Sequence, residues 1–233
     1  MRAQLPWFCA VFALLVVLPP GNSVVDVAAE PHHHLVLQNT YMRAFRVEVP
    51  AHEPTLPHHH STDYVSVSLA DAAVENDVEG KPPVTTKSLA GDARLVNGGF
   101  THQVKNLADT PFRNMTVEIL RTPPSSAPAE ASSHPQPAKI AEGVVKTAKG
   151  ESAAVRVSET VINAGVTVPE HSHSVPHLLI AISNLNLQSN TAGKPPQAVR
   201  VAAGDVAWFD AGIKHSVTNI SQEPARYVTV EFK

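Results

Sequence analysis

Residues 204–219 read GDVAWFDAGIKHSVTN, and residues 91–106 read GDARLVNGGFTHQVKN. The two stretches align without a gap, so Gly91, Gly99, His102 and Asn106 return as Gly204, Gly212, His215 and Asn219. Working outward, the same offset carries His58 and His60 onto His171 and His173, and Gly80-Lys81-Pro82-Pro83 onto Gly193-Lys194-Pro195-Pro196. Residues 40–120 and 153–233 share about 21 identities in 81 gapless pairs, with three histidines of each copy in register. Random divergence would not keep those histidines aligned, so each copy carries its own constellation. About 80 residues suffice for one small core, and a repeat of that length means two copies of one domain.

Composition is that of a globular protein with a modest net charge of −3. No basic run or aromatic-interleaved basic patch is present, which excludes a nucleic-acid partner. The unusual residue is histidine, thirteen in all, and seven of these occupy the repeated motifs or sit in phase with them. The N-terminus reads as a leader: Met1-Arg2 is a short positive region, and Leu5 to Leu18 is an apolar run. That run is too short for a bilayer span of about 20 residues and suits a secretory signal. An uncleaved anchor is the alternative. Small residues at Val27, Ala28 and Ala29 offer a cleavage site, with Gly21–Ser23 as a second choice. The single cysteine, Cys9, lies in the apolar run without the small residues that precede a lipid-modified cysteine. The reading is therefore residues 1–29 as signal peptide, 30–120 as first domain, 121–138 as linker and 139–233 as second domain. The expected location is secreted or periplasmic, with no stable membrane span after cleavage.

The linker is rich in proline, alanine and serine, which cannot sustain helix or ladder pairing; His134 within it is expected to be exposed. His32-His33-His34 reads as a mobile polar tail of the mature chain. Between these segments the pattern is strand-like. Val65 to Leu69 alternates strictly, and Tyr41 to Val49, Val155 to Ile162 and Arg226 to Phe232 are rich in β-branched and aromatic residues. Gly-Asp at 91–92 and 204–205, together with Asn97–Gly99 and Asp210–Gly212, punctuate them as turns. Short strands at turn-punctuated spacing argue for a sandwich or barrel in each half.

His171, His173 and His177 share one strand parity, and so do His58, His60 and Tyr64. His215 and His102 follow just past the Asp210–Gly212 and Asn97–Gly99 turns. Neutral imidazoles converging on one face are what a divalent metal requires, at about 2.0–2.1 Å per bond. A repeated His-x-His with a third histidine at fixed distance points to metal rather than to hydrogen-bonded core histidines. His59 has the opposite parity and is expected to face away; His52 has no repeat partner. Asp63, Tyr64, Glu170 and Asp210 are the few acid–base candidates near the motifs, and Asp63 and Glu170 have outward parity.

The run Gly165-x5-His171-x-His173-x3-His177 resembles the first cupin motif, with His177 where that motif has glutamate. Gly91-x5-Asn97-x-Gly99-x2-His102-x3-Asn106 and Gly204-x5-Asp210-x-Gly212-x2-His215-x3-Asn219 resemble the second motif, with Asn97 and Asp210 in place of its proline. The Pro57-His58-His59-His60-x3-Tyr64 run fits less fully, lacking a glycine six positions before His58. The resemblance covers both copies of the repeat, from 40 to 120 and from 153 to 233. It implies an all-β chain of two tandem cupin jelly-roll barrels, a secreted bicupin akin in architecture to germins, oxalate decarboxylases and quercetin dioxygenases.

It also implies a metal in each barrel, held by His58, His60 and His102 in the first and by His171, His173, His177 and His215 in the second. Fe(II), zinc, manganese, nickel and copper all remain candidates. Without the family's glutamate the site keeps a formal charge of +2, which suits an anionic chelating substrate and a Lewis-acid role. That is closer to three-histidine cupin dioxygenases than to manganese-dependent oxalate chemistry. With Tyr64 in place of a ligand, the first barrel is expected to be the substrate-accessible one. Tyr64 is either its catalytic hydrogen-bond donor or acid, or a packed barrel residue. The expectation is a metal-dependent dioxygenase-type oxidoreductase on a small chelating anion. A sugar- or small-ligand-binding bicupin and a cupin isomerase or lyase are the alternatives. Cupins often form homo-oligomers. Asn114-Met-Thr116 and Asn219-Ile-Ser221 are glycosylation sequons.

Overall fold

The computed structural model describes residues 23–121 and 137–233. The leader through Asn22, with Cys9, and most of the linker, with His134, lie outside the described residues.

Glycine supplies positive φ at the predicted turns, with φ of 85° at Gly91, 82° at Gly99, 83° at Gly204 and 85° at Gly212. Between such turns the first half forms β1 (Val25–Asp26), β2 (His33–Gln38), β3 (Met42–Val49), β4 (His58–His60), β5 (Tyr64–Ser68), β6 (Ala72–Val78), β7 (Val84–Ser88), β8 (Ala93–Val96), β9 (Phe100–Asn106) and β10 (Phe112–Ile119). The second forms β11 (Pro137–Ala141), β12 (Val144–Glu151), β13 (Val155–Ile162), β14 (Thr167–His173), β15 (His177–Ala181), β16 (Leu185–Asn190), β17 (Gln197–Val201), β18 (Val206–Phe209), β19 (Ile213–Asn219) and β20 (Ala225–Phe232). From β3 against β13 to β10 against β20, six strand pairs have matching bounds at the repeat offset. No α-helix occurs among the described residues, and none of their helices is long and apolar enough to cross a membrane.

Each half is a two-sheet barrel. The first has sheets ordered β1-β4-β9-β6-β7 and β2-β3-β10-β5-β8; the second has β14-β19-β16-β17 and β11-β12-β13-β20-β15-β18. Strand alternation divides the side chains between two destinations. On β15, Leu179 and Ala181 point into their own barrel, whereas Leu178 and Ile180 point out. The outward set does not meet water. Leu178, Ile180, Val228, Val230 and Phe232 pack against Met42, Val65, Val67, Met115 and Val117 in one core shared by the two halves. Burial of that apolar surface holds the barrels together through the β2-β3-β10-β5-β8 sheet of the first and the six-stranded sheet of the second.

Asn106 and Asn219 clamp equivalent loops. Asn219 Nδ2 donates to the carbonyls of Ile162 (3.0 Å), Asn163 (3.3 Å) and Glu223 (2.8 Å), and Asn106 Nδ2 donates to those of Val49, Pro50 and Thr110. Asn219 and Asn114 are both buried, so neither sequon presents its amide for a glycan.

Candidate functional site

In the second barrel, β14 delivers His171 and His173 and β19 delivers His215, with His171 paired directly against His215. One nitrogen of each ring lies within 4.8 Å of the others. The outer nitrogens are tied down: His171 Nδ1 donates to the Pro169 carbonyl (2.8 Å), and His215 Nδ1 is paired with Ser189 Oγ (2.8 Å). His215 Nε2 is buried with no hydrogen-bond partner, an orphaned ring nitrogen of the kind a cation satisfies. The three rings border a cavity of about 370 Å³. Its wall is largely apolar, from Val144, Val168, Leu179, Leu187, Val199 and Phe209.

The first barrel repeats the anchoring in register. His58 Nδ1 donates to the Leu56 carbonyl (2.8 Å), two positions back as in His171, and His102 Nδ1 donates to Asn76 Oδ1 (2.7 Å). Asn76 and Ser189 are partners at the repeat offset. The inner atoms converge closely: His102 Nε2 lies 3.0 Å from His58 Nε2 and 3.2 Å from His60 Nε2. This set is deeply buried, and its cavity is only about 70 Å³. Burial holds the imidazoles neutral. It pushes His58 down to about 4, His102 to about 3 and His60 to about 2, and in the second barrel His215 and His177 to about 4. Neutral imidazole is the form a metal takes. Both sets therefore fit a divalent ion.

The structure corrects the expected division of roles. The roomy, half-exposed site is in the second barrel, not the first. Tyr64 stacks its ring on His60 (4.2 Å between centroids), and burial raises its hydroxyl above the usual phenol range, so it keeps its proton beside the histidines. His177 does the same to His173 (4.2 Å) and also stacks on Phe209 (5.1 Å), standing outside the three-histidine group. Position 64/177 is thus a platform beneath the middle histidine in both barrels. The histidine tail is also corrected. His33 lies buried on β2 with its ring 4.8 Å from that of His58, and its Nδ1 is 2.6 Å from Glu30 Oε2. His59 bonds Thr101 on the outer face, and His52 pairs with Asp109 at the surface. Asp63 accepts from the Gly98 amide, Asp210 from Trp208, and Glu170 pairs with Lys214 in the open.

Three residues escaped the sequence reading, Glu231 and Lys146 on the cavity wall and Arg156 beside it. Glu231, opposite His177 on β20, reaches within 3.9 Å of His173 Nδ1 and 3.6 Å of Arg156. The facing His173 holds its carboxyl below the usual range, with Lys146 and Arg156 acting in the same direction. The identical pair Arg43–Glu118 recurs in the first barrel (2.6 Å). Both pairs were visible as identities in the repeat, yet lay outside the histidine motifs. Lys146, on the cavity wall, is the third. It pairs with Thr160 on β13 as His33 pairs with Val47 on β3, so His33 and Lys146 are register equivalents in the two copies.

Neither a family model nor any curated relative matches the chain. Solved structures do. AerE from Microcystis aeruginosa superposes with a TM-score of 0.61 at 13% identity, over 88% of this chain and 98% of that one. Two variants of oxalate decarboxylase from Bacillus subtilis superpose at 0.61 and 0.62, with 13% and 14% identity, over 83% of this chain and 69% of theirs. At such identity the likeness concerns the fold. The fold is that of a bicupin, two cupin barrels in tandem, with a histidine triad in each.

Proposed function

We propose that the second barrel is the working site: a divalent-metal-dependent, dioxygenase-type oxidoreductase centre for a small chelating anion with an apolar body. One observation carries this reading: His171, His173 and His215 converge at a 370 Å³ apolar cavity that also presents Lys146. An ion held there would supply Lewis acidity and, if redox-active, the electron chemistry of oxygen use. The chain's own residues do the rest. Lys146 offsets the substrate's charge and orients its anionic end toward the triad. Val168, Leu179 and Val199 hold the hydrocarbon and exclude water. Glu231, ionised and steadied by Arg156, accepts a proton at its carboxylate. Oxalate decarboxylase, the similar fold, acts by its name on a small chelating anion; the apolar wall here suits a bulkier one.

Glu231 favours a second reading, isomerase or lyase chemistry by proton transfer, which needs no oxygen. Turnover of the iron-loaded protein with a panel of diketones and catechols separates the two. Oxygen uptake that disappears in His171→Ala and shows a raised KM in Lys146→Met is the expected result. Anaerobic turnover would favour the second reading, and no uptake with any metal would overturn the first.

A further inference from the structure

The cavity of the second barrel is lined at two levels, and the histidines occupy one of them. Glu231 stands opposite His177 on β15, at the histidine level. Tyr227 lies four positions along β20 toward the other end, opposite Ala181, about 13 Å away at the usual strand rise. Tyr227 and Thr160 both border the cavity. Thr160 pairs with Tyr227 on one side and with Lys146 on the other, so the three form one inward row across β12, β13 and β20. Lys146 starts in this row, but its charge reaches Glu231 and His171 at the histidine level. The two hydroxyls are left to the far end.

The first barrel fills the same row differently. At the repeat offset, His33, Val47 and Asn114 stand where Lys146, Thr160 and Tyr227 do. Asn114 is satisfied within its own barrel, accepting from Ser66 Oγ (3.0 Å) and donating to Thr116 Oγ1 (3.1 Å). The counterpart of Ser66 is Leu179, so Tyr227 finds no hydroxyl there and turns to Thr160 instead. Two further exchanges clear space. Phe45, buried, and Phe112, on the wall of the small cavity, have Ser158 and Ala225 as counterparts. Rings and a satisfied amide in one copy are thus replaced by room and hydroxyls in the other.

Two hydroxyls bonded to each other use one O–H between them, which leaves the other O–H and the oxygen lone pairs for a ligand. Burial pushes the Tyr227 phenol up to about 12, against the opposing effect of Thr160, so it keeps its proton. We propose that Tyr227 and Thr160 form a second subsite of this cavity, which receives a hydroxyl or carbonyl oxygen at the end of the substrate remote from its chelating group. Resting on the second barrel as the working site, this narrows the substrate class to a chelating anion whose apolar body ends in an oxygen. A body without that oxygen would leave both hydroxyls facing apolar surface, which weakens binding.

Calorimetric binding of phenylpyruvate and 4-hydroxyphenylpyruvate to the zinc-loaded full chain tests the subsite without turnover. The two probes share a chelating 2-oxo acid and an apolar ring, and differ in one remote hydroxyl. The unaltered chain is expected to bind the hydroxylated probe about 3- to 10-fold more tightly, the worth of one net hydrogen bond. Tyr227→Phe should bring the two affinities together. Thr160→Val, which installs the side chain of the first barrel, should narrow the gap, and His171→Ala should weaken both probes alike. Equal affinities in the unaltered chain, or a preference that survives Tyr227→Phe, overturn the subsite and leave the cavity as the chelating site. Where Tyr227→Phe does not fold, a preference undiminished in Thr160→Val overturns it. Binding of neither probe, or affinities untouched by His171→Ala, would overturn the working-site reading and the subsite with it.

Discussion

Position 64/177 shows how one side chain's role is decided by what it touches. Tyr64 and His177 differ in chemistry, yet each lies flat on the middle histidine of its barrel. The prediction is that His177→Phe, which keeps a stacking ring, retains metal in the second barrel with affinity within about threefold. His177→Ala should cost about 2–4 kcal/mol of stability through the cavity left behind. Metal titration and denaturant unfolding measure the two, and loss of metal in His177→Phe would restore His177 as a ligand. The parity of His58/His60 and His171/His173 was legible because a strand alternates faces and the repeat doubles the signal. His33 was not: its partner at the offset is Lys146, so no identity marked it. The buried imidazoles also set a pH dependence. Their folded values, about 4 for His58, His177 and His215 and lower for His60 and His102, lie below the ordinary 6.5. The unfolded chain therefore binds more protons between those limits, and stability falls as pH drops from about 6.5 to about 4. Melting temperatures of the metal-free protein over that range should decline steadily; a flat profile would contradict neutral, packed rings.

At the scale of elements, the turns and strands followed their local chemistry, since glycine at positive φ and β-branched alternation act over a few residues. The N-terminal arm did not, because its place depends on contacts far along the chain. Val25 and Asp26 pair in parallel with His58 and His59, and Val27, in the short 3₁₀ turn that follows, is fully buried. The expected leader boundary at residue 29 would cut this arm away, so the Gly21–Ser23 alternative suits the fold better as the proposed cleavage site. N-terminal sequencing of exported protein is expected to begin between residues 22 and 25. A chain begun at Glu30 should unfold at lower temperature, because it loses β1 and the buried Val27; equal melting temperatures would place the arm outside the fold's cooperative unit.

At the scale of the molecule, the duplication shapes the interface as well as the barrels. Met42, Ala44, Val65, Val67, Met115, Val117 and Ile119 of the first half have as their offset partners Val155, Val157, Leu178, Ile180, Val228, Val230 and Phe232, and all fourteen lie in the one shared core. A surface that packs against its own repeat copy is nearly self-complementary, as in a two-fold homodimer. Its polar rim is less symmetric. Arg46 pairs with Asp205 across the halves, but the offset partner of Arg46 is Glu159, which is held by Arg226 and Lys149. The apolar centre should dominate, since hydrophobic burial scales with area whereas exposed ion pairs contribute about 0–1 kcal/mol each. Residues 137–233 expressed alone are therefore expected to self-associate through β13, β15 and β20, in a concentration-dependent dimer seen by sedimentation. Leu178→Glu should abolish that dimer, because it would bury an unpaired carboxylate at the centre of the face. A half that stays monomeric at high concentration would mean that the two barrels cohere through the intact chain rather than through this surface.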